Sequence, residues 1–212
     1  FTMSTEDLLA FSETMAIDEE APRQRSASEW LEQEEGQLLE VKGSAFADYN
    51  AWLHAQRPTK KPPLNEIAGD SLLKAVTGFL NAEGGSIVLG ALEIERYGRS
   101  PQFQGLPIIG SYLVPGLQVE LGDRGWNWDR YERALRDLMA ARIDRNPNQF
   151  VHFYGDGIES RPVCVLTVRE PHRSPTSGHW FYHRPKGERH SHFWVREGNR
   201  TIEKDGNEIV EY

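Results

Sequence analysis

Apolar positions at helical spacing stand out first in the middle of the chain. Leu72, Leu73, Val76, Phe79 and Leu80 fall on one helical face, and Asp70-Ser71 ahead of them can cap the helix. Asn81-Ala82-Glu83-Gly84-Gly85 ends it, the glycine pair permitting a sharp reversal. Ser86 to Ala91 then reads as a buried strand. A second helix is expected from about Asn127, burying Trp128, Tyr131, Leu135, Leu138 and Met139. Strands are expected at Phe150–Tyr154, Val163–Val168 and His192–Arg196, with Trp180–His183 as a fourth. Gly155-Asp156-Gly157 is the hairpin signal between the first two. Upstream, a helix from Ser28 would place Trp30, Leu31 and Leu38 on its inner side. Residues 43–63 read as a long loop with a short helix at Trp52 and Leu53, and glycines and prolines from Gly98 to Gly110 mark another looped region. The pattern predicts an α/β chain of the α+β type, a mixed sheet in one domain spanning residues 28–212.

Charge divides the chain unevenly. Residues 1–40 hold eleven Asp and Glu against two Arg, a net −9 that leaves residues 41–212 at +1 within the overall −8. Residues 1–27 are expected to be a flexible acidic arm. Residues 161–204 carry nine Lys and Arg against four Glu, so the C-terminal part is locally basic and compatible with a polyanion partner. No apolar run is long enough to span a bilayer and no signal-peptide pattern opens the chain, which predicts a cytoplasmic protein with no membrane partner. The single cysteine, Cys164, lies in an apolar run and is expected to be a small buried hydrophobe.

Chemistry concentrates in Glu35-Gly-Gln-Leu-Leu-Glu40-Val-Lys42. In a strand over Leu39 to Lys42, Glu40 and Lys42 share one face and Leu39 and Val41 the other. Glu35 can lean over the charged face. Two carboxylates and an ammonium are what a site needs to hold a divalent cation and steady a phosphate. Read structurally, the same residues are a helix end and a solvated strand edge.

Three ordered segments resemble the Schlafen AlbA-type domain family. Glu35 to Lys42 is similar to its "E, four residues, E, aromatic or aliphatic, K" segment. Phe79-Leu-Asn81-Ala-Glu-Gly84-Gly85 through Gly90 is similar to its "F-x-N-x-x-G-G" helix end and following strand. Phe193-Trp-Val-Arg196-Glu-Gly198-Asn199-Arg-Thr201 is similar to its "aromatic-x-R-x-G-x-x-T" strand and turn. The resemblance spans roughly residues 29–205 and implies a function of one of two kinds. One is a metal-dependent endoribonuclease cutting structured RNA such as tRNA with three carboxylates; the other is a DNA- or RNA-binding or regulatory module that does not cut. Carried over by position, Glu35 and Glu40 are the first two acidic residues and Lys42 the basic one. The family's third carboxylate is usually an Asp just after the glycine that ends the central strand. Glu93 stands there, with Glu95 as the second candidate. The implied cofactor is Mg²⁺ or Mn²⁺ on Glu35, Glu40 and Glu93. The implied partner is nucleic acid, RNA favoured over DNA, and pairing of two lobes in animal relatives suggests a homodimer.

Arg184, Lys186, Arg189, Arg196, Arg200 and Lys204 are the expected phosphate contacts, each alternatively a solvated surface charge. Trp180, Phe181, Tyr182 and Trp194 are base-stacking candidates or core residues. Asn81 and Gly84-Gly85 are expected to serve the backbone rather than the chemistry. Five histidines between residues 172 and 192 lack the Cys pairs or HExxH spacing of a zinc site. Neither a GxxxxGK[ST] loop nor GxGxxG is present.

Overall fold

The structure, a computed structural model, describes residues 24–55, 61–65, 67–171 and 180–205. Most of the expected acidic arm, residues 1–23, lies outside the described residues. The arm's other end already belongs to helix α1, Ala27–Leu31. Its N-cap is a capping box: Ser26 Oγ accepts from Glu29 N–H at 3.2 Å and Glu29 Oε2 from Ser26 N–H at 2.7 Å. Leu31 is buried, but Leu38 lies beyond the helix and is 51% exposed, so it is not on the inner side expected of it.

Strand β1 (Leu39–Lys42) is followed by the short helix α2 (Tyr49–Leu53) and the long helix α3 (Ile67–Leu80). Helix α3 begins ahead of the expected Asp70-Ser71 cap. Asn65 Oδ1 accepts from the N–H groups of Ile67 and Ala68, which frees Asp70 to pair with Arg142 and His183. Strand β2 (Gly85–Leu89) follows the glycine turn. At Gly84 φ is +79°, and a Cβ there would lie 2.5 Å from the Val168 carbonyl oxygen. The region expected to be looped contains β3 (Leu92–Glu93), α4 (Ile94–Tyr97), β4 (Ile108–Ile109) and β5 (Tyr112–Leu113). Helix α5 (Gln118–Arg124) has too short an apolar pattern to register in the sequence. Helix α6 (Trp128–Arg142) starts where expected, capped by Asn127, but only Tyr131, Leu135 and Met139 are fully buried; Trp128 and Leu138 are half-buried.

Strands β6 (Val151–Ile158) and β7 (Arg161–Val168) form a hairpin whose turn is Glu159-Ser160, not Gly155-Asp156-Gly157. Both turn residues take positive φ, +47° and +65°, while the two glycines continue the strand. Strands β8 (Phe193–Glu197) and β9 (Arg200–Lys204) form a second hairpin. Trp180–His183 is not a strand; His183 makes isolated bridges to Ile143 and His192.

The result is an α+β fold built on one mixed sheet, order β1-β2-β7-β6, with β1 parallel to β2 and the other pairs antiparallel. Two smaller sheets, β3-β5-β4 and β8-β9, flank it. Alternation sorts the main sheet into two faces. Ile87, Leu89, Cys164 and Leu166 pack against α3 and α6 through Leu72, Val76, Phe79, Tyr131 and Leu135. Leu39, Val41, Val88, Val163 and Val165 pack against Ala27, Leu31, Tyr112 and Val114. Cys164 is fully buried, as expected. Register places Glu40 beside Ile87 and Lys42 beside Leu89, so both charges leave the edge strand on the face covered by α3.

Candidate functional site

Strand β1 lies at the sheet edge, so alternate backbone groups on its outer side have no strand partner. The preceding turn and β8 supply partners instead. Glu35 Oε1 accepts the Val41 N–H at 2.5 Å, and the Leu39 carbonyl accepts both the Gly36 N–H and Arg196 Nη2, at 3.1 and 2.8 Å. Burial is the main force raising the Glu35 pKa, followed by the Glu40 charge, with a smaller push from Glu93. The Val41 N–H and the Lys42 ammonium act in the opposite direction.

A cleft of about 350 Å³ opens beside this edge. Glu35, Lys42 and Glu93 line it, with Asp48, Ser71 and Arg96 around them. Glu93 is exposed at the start of α4 and its side chain caps no N–H, which leaves the carboxylate facing solvent. Glu95, the alternative third carboxylate, does not line the cleft. Asp48 does, but its oxygens are taken: Oδ1 accepts Ala51 N–H at 2.7 Å and Oδ2 accepts Asn65 Nδ2 at 2.8 Å.

Glu40 faces elsewhere. Its carboxylate pairs with Lys42 through Oε1 and with Arg196 through Oε2. The expected set of Glu35, Glu40 and Glu93 is therefore not gathered. Among the described residues no three Asp, Glu, His or Cys side chains are grouped to hold a metal ion. The donors that do share the cleft, Glu35 and Glu93, fit another mode, in which magnesium takes one or two carboxylates and completes its shell with waters and substrate phosphate oxygens.

Arg196 was expected to contact phosphate. It is 1% exposed, and Nε and Nη2 donate to the Gly36 carbonyl at 3.0 and 2.7 Å. Nη1 donates to Glu40 and, at 3.3 Å, to Thr201 Oγ1, with the Phe79 ring 5.1 Å from the guanidinium carbon. Its donors are engaged within the protein, and its role is to fasten the Glu35–Glu40 segment to the β8-β9 hairpin. Arg184, Lys186, Arg189 and Arg200 are exposed; Lys204 is half-buried and paired with Glu197.

Asn81 serves the backbone, as expected. Fully buried, it donates to the Phe181 and Trp194 carbonyls at 2.7 and 2.9 Å and accepts the Phe181 N–H at 2.9 Å. Of the stacking candidates, Phe181 is core, while Trp180 and Tyr182 pack on Phe193. Thus the three sequence segments meet at one place. Arg196 ties the first to the third, and Asn81 ties the second to the third.

No family model matches the chain. No curated protein matches it either. Among solved structures, one from Corynebacterium diphtheriae is similar at 16% identity and a TM-score of 0.47, over 83% of this chain and 23% of that one. The N-terminal domain of a RecG-related protein from Nitrosomonas europaea is similar at 17% identity and a TM-score of 0.43, over 69% of this chain and 74% of that one. The chain therefore spans about a quarter of the first protein's length. Among the described residues no helix is long and apolar enough to cross a membrane.

Arg96 and Lys74 carry no motif signal in the sequence, and Ser71 reads there only as part of a helix cap. Arg96 lies three residues beyond Glu93, one helical turn, and its Nη2 donates to Asn50 Oδ1 at 2.7 Å across the cleft rim. Lys74 follows Lys42 by 32 positions and comes near it only through the packing of α3 against the sheet edge.

Proposed function

We propose that the chain is a metal-dependent endonuclease domain acting on structured RNA, with its reaction centre in the cleft of Glu35, Lys42 and Glu93. One observation carries this reading: Glu35 and Lys42 of one segment line a single cleft with Glu93, a carboxylate some fifty residues further along the chain. A magnesium or manganese ion would be held by Glu35 and Glu93, and would supply charge neutralisation and activation of an attacking oxygen. Lys42 offsets charge on a non-bridging phosphate oxygen. Arg96, at the rim, would orient the strand by a second phosphate. The preference for RNA rests on the resemblance to Schlafen AlbA-type domains.

A specific observation favours a second reading. Glu40, one of the three carboxylates the resemblance calls for, is held by Arg196 and Lys42. A domain that binds nucleic acid without cutting it fits that arrangement. Incubation of tRNA with Mn²⁺ and the wild-type protein, Glu35→Gln or Glu93→Gln separates the two. Cleavage by wild type alone supports the nuclease; binding by all three without cleavage supports the binding module. Neither binding nor cleavage overturns both.

A further inference from the structure

Beside the cleft lies a second, smaller recess of about 150 Å³, and Lys42 and Ser71 border both. Its other side chains include Glu40, Lys74, Arg196 and Thr201. Three cations therefore stand against one carboxylate. Arg196 and Lys42 already contact Glu40, so their charge is partly spent. Lys74 is different. Its ammonium rests 4.2 Å from the centroid of the Trp194 ring, which orients the group without neutralising it. Among the described residues no carboxylate pairs with it. The lining, with two hydroxyls beside the ammonium groups, is chemistry for an anion with several acceptor oxygens. The volume suits a phosphate group and lies below the roughly 300 Å³ at which pockets for drug-sized ligands begin.

We propose that this recess is a phosphate subsite, in which Lys74 binds a backbone phosphodiester of the same nucleic acid whose neighbouring phosphate enters the cleft. The inference rests on the nucleic-acid reading given above, but not on cleavage. Because Lys42 and Ser71 belong to both cavities, one strand passing over them presents successive phosphates to the two. Lys74 is then a binding residue that sets the strand's register over Glu35 and Glu93.

The test measures binding of a short single-stranded RNA by fluorescence anisotropy in EDTA, across 50–200 mM KCl, so that no cleavage intervenes. Removing one phosphate-binding cation lowers the slope of log K against log salt by about 0.7 for single strands. Lys74→Gln is expected to reduce the slope by that amount, Lys74→Arg to retain it, and Arg133→Gln, on the exposed side of α6, to leave it unchanged. Unchanged thermal melting of Lys74→Gln confirms that the fold is kept. A wild-type slope in Lys74→Gln overturns the proposal. RNAs with a 5′-hydroxyl and a 5′-phosphate are compared. Equal dependence on Lys74 supports a backbone phosphodiester, and dependence only with the 5′-phosphate overturns that assignment. Loss of cleavage in Glu93→Gln alongside a wild-type slope in Lys74→Gln removes the subsite and leaves the nuclease. A Lys74-dependent slope with no cleavage in Mn²⁺ does the reverse.

Discussion

The carboxylate of Glu40 is turned toward the guanidinium of Arg196, which is almost fully buried, and away from the cleft that Glu35 and Glu93 share. A buried pair of this kind is costly to break from one side, because the remaining charge is left without a partner. Arg196→Ala is therefore expected to destabilise the fold by about 3–5 kcal/mol in urea unfolding. The double variant Arg196→Met, Glu40→Gln is expected to recover a large part of that loss. An Arg196→Ala protein with wild-type stability and weakened RNA binding would return Arg196 to the phosphate-contact role.

This pair also shows where the sequence was legible. Alternation alone put Glu40 and Lys42 on one face, and the spacing of Leu72 to Leu80 gave the helix that covers it. The motif residues of the third segment pointed to the right neighbourhood. What spacing could not convey is direction: an arginine in a strand reads as a surface cation until packing surrounds it. The hairpin turn failed for a related reason. Gly155 and Gly157 carry the stronger turn signal, but the β6-β7 pairing continues through them to Glu159 and Ser160, which take the left-handed conformation themselves.

Glu35 makes the cleft sensitive to acid. Burial and the Glu40 charge hold its pKa above the ordinary 4.5. Below 4.5 it is protonated whether folded or unfolded, and folding keeps the proton longer as pH rises. Stability from this group is thus present at low pH and lost as pH passes from 4.5 up through the raised folded value. Glu35→Gln is expected to flatten that part of a stability-against-pH curve measured by denaturant titration. Manganese affinity, read by calorimetry, is expected to rise over the same interval in wild type, because the ion and the proton compete for the carboxylate. A pH-independent affinity there would rule Glu35 out as a ligand.

His192 and His183, joined by a backbone bridge, have pKa values shifted in opposite directions. Hydrogen bonds to Glu203 and Glu188, at 2.6 and 2.8 Å, raise the His192 pKa above 6.5. Burial lowers that of His183, despite Asp70 at 3.1 Å. The stability His192 contributes is fully present below 6.5 and is lost as pH rises through its raised folded value. Ring-proton NMR should show two separated midpoints on either side of 6.5, and Glu203→Gln should move the upper one down. A single shared midpoint would mean that the Glu188–His192–Glu203 contacts do not persist in solution.

Gly78 on α3 determines how closely the β8-β9 hairpin approaches the helix, and hence where Arg196 meets Glu40. A Cβ at this position would lie 2.6 Å from Thr201 Cγ2 and 3.2 Å from its Oγ1. Two effects compete in Gly78→Ala. Helix propensity favours alanine by about 1 kcal/mol, while overpacking at a close contact costs about 1–3 kcal/mol. At 2.6 Å the contact is well inside van der Waals range, so overpacking should win and urea unfolding should show net destabilisation. Thr201→Ser removes the offending methyl and keeps the hydroxyl that Arg196 uses. In the Thr201→Ser background, Gly78→Ala should therefore become neutral or stabilising. If Gly78→Ala alone raises stability, the hairpin does not sit against α3 at this distance, and the route by which Arg196 reaches Glu40 must be redrawn.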